Sequence, residues 1–494
     1  MTPVENDRSG RLGALATRLA PLLGPGALLH ARAERSTYQS DGLTNYHVVP
    51  GLVVLASTGE EVVAAVAACA NFGVPFVARG SGTGLSGGAL PLAHGALIVT
   101  AKMRAIEDVD AENERAIVEP GVANLTISSA TASVGYFFAP DPSSQQVCSI
   151  GGNVAENSGG AHCCKYGFTT NHVTGLEVVT SDGECHRLGA WKSAENPGYD
   201  LVGAFVGSEG TLGIATKVAV RLTRRPESIR TLLAGFSSTD EAGGAVSAIV
   251  AAGLEPAAIE MMDALSIEAA EAAVHCGYPA GAGAVLIVEF DGPATEVGPA
   301  TEAVEQILFE HGATEVRVAP DGPERVALWK GRKSAFAAVG RISPDYIVQD
   351  GVVPRSALPG VLAAISALST ATGIRVANVF HAGDGNLHPL VLFDAAVEGE
   401  QDKAEALSES ILALCLGVGG SLTGEHGIGV DKVGHMTEMF NEDDLDTMQL
   451  LRCAFDPAGL ANPGKVFPTP RLCGEVPGRH HVHPVERAGI AEVF

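Results

Sequence analysis

Three glycine-rich segments constrain what this chain of 494 residues can fold into. Glycine segment one is ARGSGTGLSGGAL (78–90), segment two is PDPSSQQVCSIGGNVAENSGG (140–160) and segment three is GSEGTLGI (207–214). Glycine has no Cβ, so such loops let a ligand approach the backbone and let N–H groups converge on a diphosphate. Each segment lies at the end of a predicted strand. Together they favour one large, flat cofactor that carries a diphosphate.

Segment one contains the pattern GxGxxG from Gly82 to Gly87. This pattern is typical of a Rossmann dinucleotide site only where it opens a helix. Pro91, Gly95 and the apolar strand sequence ALIVT follow, so no helix can begin there. The segment also lacks the GK[ST] ending of a P-loop. Taken alone it is more typical of a flexible surface loop, and the cofactor interpretation depends on all three segments.

Composition and charge exclude several classes of protein. Hydrophobic residues make up 46% and charged residues 18% of the chain, which favours a buried core over disorder. The formal net charge of -25 repels phosphate backbones, so we expect no nucleic-acid partner, although a local positive pocket can still bind a small anion. The nine cysteines include no CxxC spacing, which argues against an iron–sulfur cluster held by this chain.

The sequence also bears on location. It has no stretch of about 20 apolar residues, so we expect no direct membrane insertion. The N-terminal residues MTPVENDRSGRLG lack the apolar region of a signal peptide. We therefore predict a cytoplasmic protein that reaches the inner face of the cell membrane only through partners.

The order of predicted elements indicates an α+β chain with two main domains. We expect a helical lead-in at 1–48, a domain with the glycine segments at 49–225, a second domain at 226–467 and a tail at 468–494. In the first domain, strand VVLAS, helix EEVVAAVAACANFG and strand VPFVAR precede a hairpin at 175–188 and a strand at 215–222.

The second domain alternates strand and helix in an order close to a split βαβ, ferredoxin-like unit with extra helices. Its predicted strands are 229–236, 256–261, 284–290, 315–319 and 345–353, and its predicted helices are 239–252, 263–276, 295–311, 322–340 and 356–373. Several prolines follow Asp456, so we expect the chain from there on to run extended over the surface.

Two motifs near the C-terminus carry a candidate metal site. VFHAGDGNLHP places His381 and His388 on either side of a glycine-bearing turn, and GEHGIG supplies Glu425 and His426. Two histidines and one carboxylate leave open positions, which a catalytic cation needs. Taken singly, each histidine is more often a hydrogen-bonded structural residue. The terminal histidines, by contrast, are more typical of a solvated tail: His480, His481 and His483.

These motifs resemble a known family. The glycine segments are similar to the FAD-binding domain of the vanillyl-alcohol oxidase and p-cresol methylhydroxylase (PCMH) type. Almost end to end, the chain resembles the FAD-linked subunits of bacterial glycolate oxidase (glycolate dehydrogenase), which are related to D-lactate and D-2-hydroxyglutarate dehydrogenases. The matching motifs are ARGSGTGLSGGALP, APDPSSQ, SIGGNVAEN, IEMMD, GRISPDY, VANVFHAGDGNLHP, GEHGIG and NPGK. The resemblance implies a PCMH-type FAD-binding domain followed by a ferredoxin-like-derived cap domain.

The resemblance also implies which residues bind FAD. Those expected around the pyrophosphate are Arg79, Gly80, Ser81, Gly82, Thr83, Gly84 and Leu85. Those expected along the pyrophosphate and flavin are Asp141, Pro142, Ser149, Gly151, Gly152, Asn153 and Asn157. Those expected at the adenosine side or ring edge are Glu209, Gly213 and Ile214, with Asn462 touching the flavin. Relatives with covalent flavin have a histidine in segment one, and this chain has none, so we expect non-covalent FAD.

For the reaction, the resemblance implies one divalent metal, zinc or manganese, on His381, His388 and Glu425. It implies His426 as the acid/base that takes the hydroxyl proton while FAD oxidises a small 2-hydroxy acid. Arg332 matches a substrate-carboxylate arginine, although a solvated helix charge is an equal alternative. Phe336 and Val348 replace a threonine and a lysine that relatives use for a diacid, which favours glycolate first and D-lactate second.

The sequence leaves two other classes of function open. A non-catalytic flavin subunit would not need the histidine cluster, and a metallohydrolase would leave the glycine segments unexplained. The resemblance further implies a complex with a second flavin-type subunit and an iron–sulfur subunit that carries electrons onward. The alternative is a soluble oxidase that passes its electrons to oxygen.

Overall fold

The computed structural model describes residues 3–191, 198–320 and 322–468. The strands up to residue 224 are β1 (Leu28–Leu29), β2 (Leu52–Leu55), β3 (Phe76–Arg79), β4 (Ala96–Val99), β5 (Ile106–Asp110), β6 (Arg115–Val118), β7 (Tyr136–Phe137), β8 (Val173–Val179), β9 (Cys185–Gly189), β10 (Ile214–Arg221) and β11 (Thr223–Arg224). The helices of this part are α1 (Pro3–Leu19), α2 (Arg32–Ser36), α3 (Gly59–Phe72), α4 (Asn124–Thr131), α5 (Ile150–Glu156), α6 (Cys163–Tyr166) and α7 (Leu201–Phe205).

The strands from residue 228 onward are β12 (Ser228–Phe236), β13 (Ala258–Asp263), β14 (Ala284–Gly292), β15 (Glu315–Val318), β16 (Asp345–Val348), β17 (Gly351–Val352), β18 (Val376–His381), β19 (Asn386–Leu387) and β20 (Pro389–Phe393). The helices of this part are α8 (Thr239–Ala251), α9 (Ala264–Val274), α10 (Ala294–Glu310), α11 (Gly322–Val339), α12 (Leu358–Thr372), α13 (Glu400–Gly417), α14 (Met436–Met439) and α15 (Glu442–Phe455).

The N-terminal part contains two main sheets. The first has the order β1–β2–β4–β3, in which β4 runs parallel to both β2 and β3. The second is antiparallel with the order β5–β6–β10–β8–β9. Helix α3 forms because Thr58 caps its first turn through Glu61 N and Gly73 ends it at φ +59°. Its apolar side packs on the first sheet and on the ends of β8 and β10.

The C-terminal part is built on one nine-stranded sheet. Its path runs β15–β12–β14–β13–β18–β19–β17, and β20 and β16 branch from β18. Successive side chains of β12 point to opposite faces of the sheet. Leu232 and Phe236 pack under α8, α10, α12 and α13, whereas Leu233 packs under α9 and α11. The run from β12 to β15 is the ferredoxin-like unit with α9 added, so the predicted α+β fold class is confirmed.

The buried sheet explains the position of two charges. Glu260 on β13 and Glu289 on β14 lie on the face covered by α9 and α11, at 1% and 0% exposure. Burying a carboxylate without partners costs several kcal/mol, so each needs cationic or N–H partners on that face. The α9/α11 side of the sheet is therefore where polar groups of the cap converge.

Three expectations about local structure were wrong. Segment two is partly helical, because Ser149 caps α5 and Asn157 ends it at φ 50°. The strand predicted at 345–353 is two strands, since β16 pairs with β20 whereas β17 pairs with β19. The lead-in is not only helical, because β1 pairs with β2.

The chain after Asp456 also departs from the expected surface course. Pro457, Ala458 and Gly464 are exposed, but Asn462 and Lys465 are buried at 1% and 2% exposure, and Ala461 forms a β-bridge with Phe76. Asp456 fixes this turn by accepting hydrogen bonds from Leu460 N and Ala461 N. The remainder of the predicted tail, including His480, His481 and His483, lies outside the described residues. Within those that are described, no helix is long and apolar enough to span a membrane.

Candidate functional site

A cavity of about 550 Å³ lies between the two parts. All three glycine segments reach its wall, and Lys333, Phe336 and the stretch 344–348 form the wall on the cap side. The predicted residues on the wall are Arg79, Gly80, Ser81, Gly82, Thr83, Gly84, Leu85, Pro142, Ser149, Gly151, Gly152, Asn153, Glu209, Gly213, Ile214, Glu425 and His426. The glycine-rich residues and the C-terminal histidine motif therefore share one cavity.

Ser149 joins segments one and two. Its hydroxyl accepts hydrogen bonds from Ser81 N at 3.3 Å and Gly152 N at 3.4 Å. A Cβ on Gly80 would collide with this hydroxyl, so only glycine allows the two segments to meet here. Segment three runs beside α5, where Gly207 N donates to Val154 O at 2.8 Å.

The backbone of segment one fits a diphosphate. The N–H groups of residues 82–85 donate to no other residue in the described parts of the chain, and all four residues line the cavity. Converging N–H groups without internal acceptors are the donors that a pyrophosphate needs. The size of the cavity and this backbone geometry are compatible with FAD.

Three residues expected at the cofactor lie behind the wall. Asp141 accepts from His162 N and contacts His162 Nδ1 at 2.9 Å. Asn157 Oδ1 accepts from Thr170 N. Asn462 Nδ2 donates to Gly88 O and Glu209 O at 2.9 and 2.6 Å. Asn462 thus bonds two residues of the wall, whereas the hydrogen bonds of Asp141 and Asn157 go to residues that do not line the cavity.

The structure brings His381, His388 and Glu425 together. Glu425 Oε1 lies 3.3 Å from His381 Nε2 and 3.2 Å from His388 Nε2, and one possible ligand atom from each residue lies within 4.8 Å of the others. His381 Nδ1 contacts Glu260 Oε1 at 2.7 Å, which leaves its Nε2 facing Glu425. A carboxylate behind a histidine in this way is typical of metal sites, so the residues fit a divalent cation.

A second group of possible ligands shares one member with the first. It consists of Asp350, His388 and His426. The rings of His388 and His426 stack with centroids 4.9 Å apart, and His426 lies on the cavity wall. Burial lowers the pKa of His426 to about 4, so the imidazole is neutral at pH 7.

Arg332 is buried at 1% exposure, which excludes the solvated helix charge considered above. Its Nε pairs with Glu260 Oε2 at 2.7 Å. Burial opposes ionisation of Glu260, but His381 and Arg332 outweigh it and lower the pKa of its carboxyl. The two terminal nitrogens of Arg332 have no hydrogen-bond partner among the described residues. The guanidinium thus retains donors for an anion.

Two residues of the site were missed in the sequence. Glu260 links Arg332 to His381, and its signal was a charge in the middle of the apolar run AIEMM. Asp350 accepts hydrogen bonds from the GEHG segment, a contact with residues more than 70 positions away that no local pattern around Asp350 indicates.

Comparison with known proteins agrees with this architecture. Residues 50–189 match an FAD binding domain, and residues 225–466 match the C-terminal domain of FAD linked oxidases. Glycolate oxidase subunit GlcD of Escherichia coli (strain K12) is 52% identical over 97% of this chain and 94% of its own. A D-lactate dehydrogenase of Anaerostipes hadrus is 31% identical over 84% of this chain and 89% of its own.

Among solved structures, p-cresol methylhydroxylase with substrate bound has a TM-score of 0.78 at 16% identity, covering 92% of this chain and 97% of its own. At that identity the likeness establishes the fold alone. FAD is the cofactor that the matched domain binds. With half of its residues identical to GlcD over nearly the whole length, the chain belongs to the family of FAD-linked oxidases that includes the glycolate oxidase subunit GlcD.

Proposed function

We propose that this protein oxidises a small 2-hydroxy acid, converting glycolate to glyoxylate, with D-lactate as the second candidate. The observation that carries the proposal is the meeting of the glycine segments with Glu425 and His426 on one cavity wall. The similarity to a glycolate oxidase subunit supports glycolate, and the more distant D-lactate dehydrogenase supports the alternative. A hydrolase would not need the glycine segments.

FAD is held without a covalent bond in this proposal. The predicted wall residues of the three segments bind it, Asn462 supports Gly88 and Glu209 from behind, and Asp141 and Asn157 lie next to the wall residues Pro142 and Glu156 in the chain. A zinc or manganese ion is held by His381, His388 and Glu425. When bound, FAD supplies the oxidant for the electron pair and hydrogen leaving the substrate carbon, and the cation stabilises negative charge on the substrate oxygen.

The residues of the chain supply binding and proton transfer. Arg332 binds the substrate carboxylate through its two unpartnered terminal nitrogens. His426 accepts the hydroxyl proton as the C–H bond breaks and the C=O bond forms, which balances the oxidation of a 2-hydroxy acid to a 2-oxo acid. Glu260 touches neither the substrate nor the proton in this proposal. It holds Arg332 and His381 in position through ion pairs with both side chains.

The cap side of the cavity favours a small substrate. Phe336 and Val348 line it, and the ring of Phe336 lies 5.7 Å from that of His388 and 5.8 Å from the guanidinium carbon of Arg332. Neither side chain can pair with a second carboxylate. A second carboxylate beside these two side chains would therefore lack a partner there, which is unfavourable, and the nearby Lys333 ammonium already lies 3.6 Å from Asp141 Oδ2.

The first prediction tests the substrate. Under anaerobic conditions, glycolate should bleach the flavin absorbance of the FAD-loaded protein, D-lactate should act more slowly, and D-2-hydroxyglutarate should have little effect. The measurement is a spectrum before and after each acid. An unchanged spectrum with both glycolate and D-lactate would contradict the proposed function.

The second prediction concerns the flavin linkage. Segment one offers no histidine for a covalent bond, so acid precipitation should release the flavin into the supernatant. The measurement compares flavin absorbance in the supernatant and the pellet. Colour retained in the washed pellet would show that the linkage is covalent.

The third prediction concerns the cation. His381→Ala should lower turnover at least about 100-fold and lower the bound metal, because a ligand worth several kcal/mol of charge stabilisation is lost. FAD should stay bound, since His381 lies off the cavity wall. His172→Ala is the matched control, because His172 is also buried but bonds Tyr166 O in the N-terminal part. Equal losses in both variants would argue against a metal ligand.

We further propose that a second flavin-type subunit and an iron–sulfur subunit receive the electrons, in a cytoplasmic complex docked at the inner face of the membrane. The absence of CxxC spacing in the sequence supports a relay outside this chain. The fourth prediction is that the isolated protein reduces a dye rapidly and oxygen slowly. If glycolate gave stoichiometric hydrogen peroxide at the dye-linked rate, the partner proposal would fail.

A further inference from the structure

The segment 423–429 (TGEHGIG), here called the histidine loop, carries both Glu425 and His426. It has no regular secondary structure of its own. Two buried carboxylates hold it, Asp350 from the cap and Glu209 from the glycine-segment part. The position of the metal ligand and the proton acceptor is therefore set from both sides of the cavity.

Asp350 holds the first half of the histidine loop. It is fully buried, and it accepts hydrogen bonds from Gly424 N at 3.0 Å, Glu425 N at 3.1 Å and His426 N at 2.8 Å. The Thr423 hydroxyl also donates to it. Three successive N–H groups converging on one carboxylate form an anion-binding nest, which fixes the backbone direction through these residues.

Asp350 also lies close to the side chains of His388 and Lys432. Its Oδ1 lies 3.7 Å from His388 Nδ1, and its Oδ2 lies 3.7 Å from the buried ammonium of Lys432. One carboxylate therefore contacts the loop that carries Glu425 and the ring of His388. The partners balance the charge of Asp350 inside the protein, where an uncompensated carboxylate would be strongly unfavourable.

Glu209 holds the second half of the loop. Its Oε1 accepts from Ile428 N and its Oε2 accepts from Gly429 N, both at 2.6 Å. Between the two anchors, Gly427 has φ +88°, and a Cβ there would lie 2.8 Å from Glu209 Oε1. Glycine is therefore required for this approach. Both oxygens of Glu209 accept hydrogen bonds from the loop, so Glu209 holds the loop as well as lining the cofactor cavity.

We propose that Asp350 and Glu209 are positioning residues for the oxidation, together holding Glu425 and His426 against the cofactor cavity. This inference rests on the proposed function of the same site. Displacing a catalytic group by about 1 Å can cost roughly 100-fold in rate, so loss of a loop anchor should slow chemistry more than substrate binding.

Asp350→Asn is the sharpest test. Because the loop donors meet Asp350 Oδ2, the single acceptor oxygen of Asn can still receive them, but without the negative charge that strengthens these bonds and with little change in volume. We expect flavin reduction by glycolate to slow roughly 10- to 100-fold, as for other residues that orient metal ligands. KM should change by less than kcat, and the FAD content should match that of the wild type.

The matched control is Asp263→Asn. Asp263 is also a buried carboxylate that accepts backbone hydrogen bonds, from Ser266 N and Asn378 N, but it contacts no part of the histidine loop in the described structure. The Asp263→Asn substitution should lower the unfolding temperature but leave the rate of flavin reduction by glycolate near the wild-type value. A rate loss equal to that of Asp350→Asn would show a merely structural effect and overturn the inference.

Two further variants test the loop anchors in case Asp350→Asn does not fold. Thr423→Val removes one donor to Asp350 without changing side-chain shape, so it should give a smaller rate loss even if Asp350→Asn does not fold. Glu209→Gln should slow reduction in the same direction as Asp350→Asn. Wild-type rates in Thr423→Val and Glu209→Gln would overturn the inference. A wild-type protein that glycolate does not reduce would instead overturn the proposed function.

Discussion

The site depends on the pairing of buried carboxylates with N–H groups, imidazoles and guanidinium groups. Glu260 holds His381 and Arg332, Asp350 holds the start of the histidine loop, and Glu209 holds its end. An isolated buried carboxylate is unfavourable by several kcal/mol. Burial opposes ionisation of all three carboxyls, but the cationic partners of Glu260 and Asp350 hold their pKa below the usual range, whereas the pKa of Glu209 is raised. The same contacts therefore fix the geometry of His381, Arg332, Glu425 and His426, the residues proposed to act in the reaction.

The two parts of the chain are joined by a related polar contact next to the cavity. His162 lies between Asp141 at 2.9 Å and Glu289 at 3.1 Å, and Glu289 also accepts from Trp329 and Arg325. Burial alone would lower the pKa of His162, but the two carboxylates raise it to about 10, so it is protonated at neutral pH. The ion pairs of His162 connect the two parts, and the histidine loop is anchored in both of them. The shape of the cavity therefore depends on contacts between the two parts.

Much of this could be predicted from local sequence. Periodicity located the strands and helices of the ferredoxin-like unit, and the glycine segments indicated a common cavity, because both signals depend on residues close together in the chain. The misassigned course after Asp456 and the burial of Arg332 depend on packing between distant segments, which no local pattern reports. Glu260 gave a signal as a charge in an apolar strand, whereas Asp350 becomes significant only once the histidine loop folds over it.

The central claim is that the cation site and the flavin cavity form one reaction centre. Rapid-mixing measurement of flavin reduction by glycolate tests this most directly, using metal-free FAD-loaded protein before and after a divalent cation is restored. We expect reduction at least about 100-fold slower without the cation, and recovery when zinc or manganese is added. Equal rates in the two preparations would contradict it.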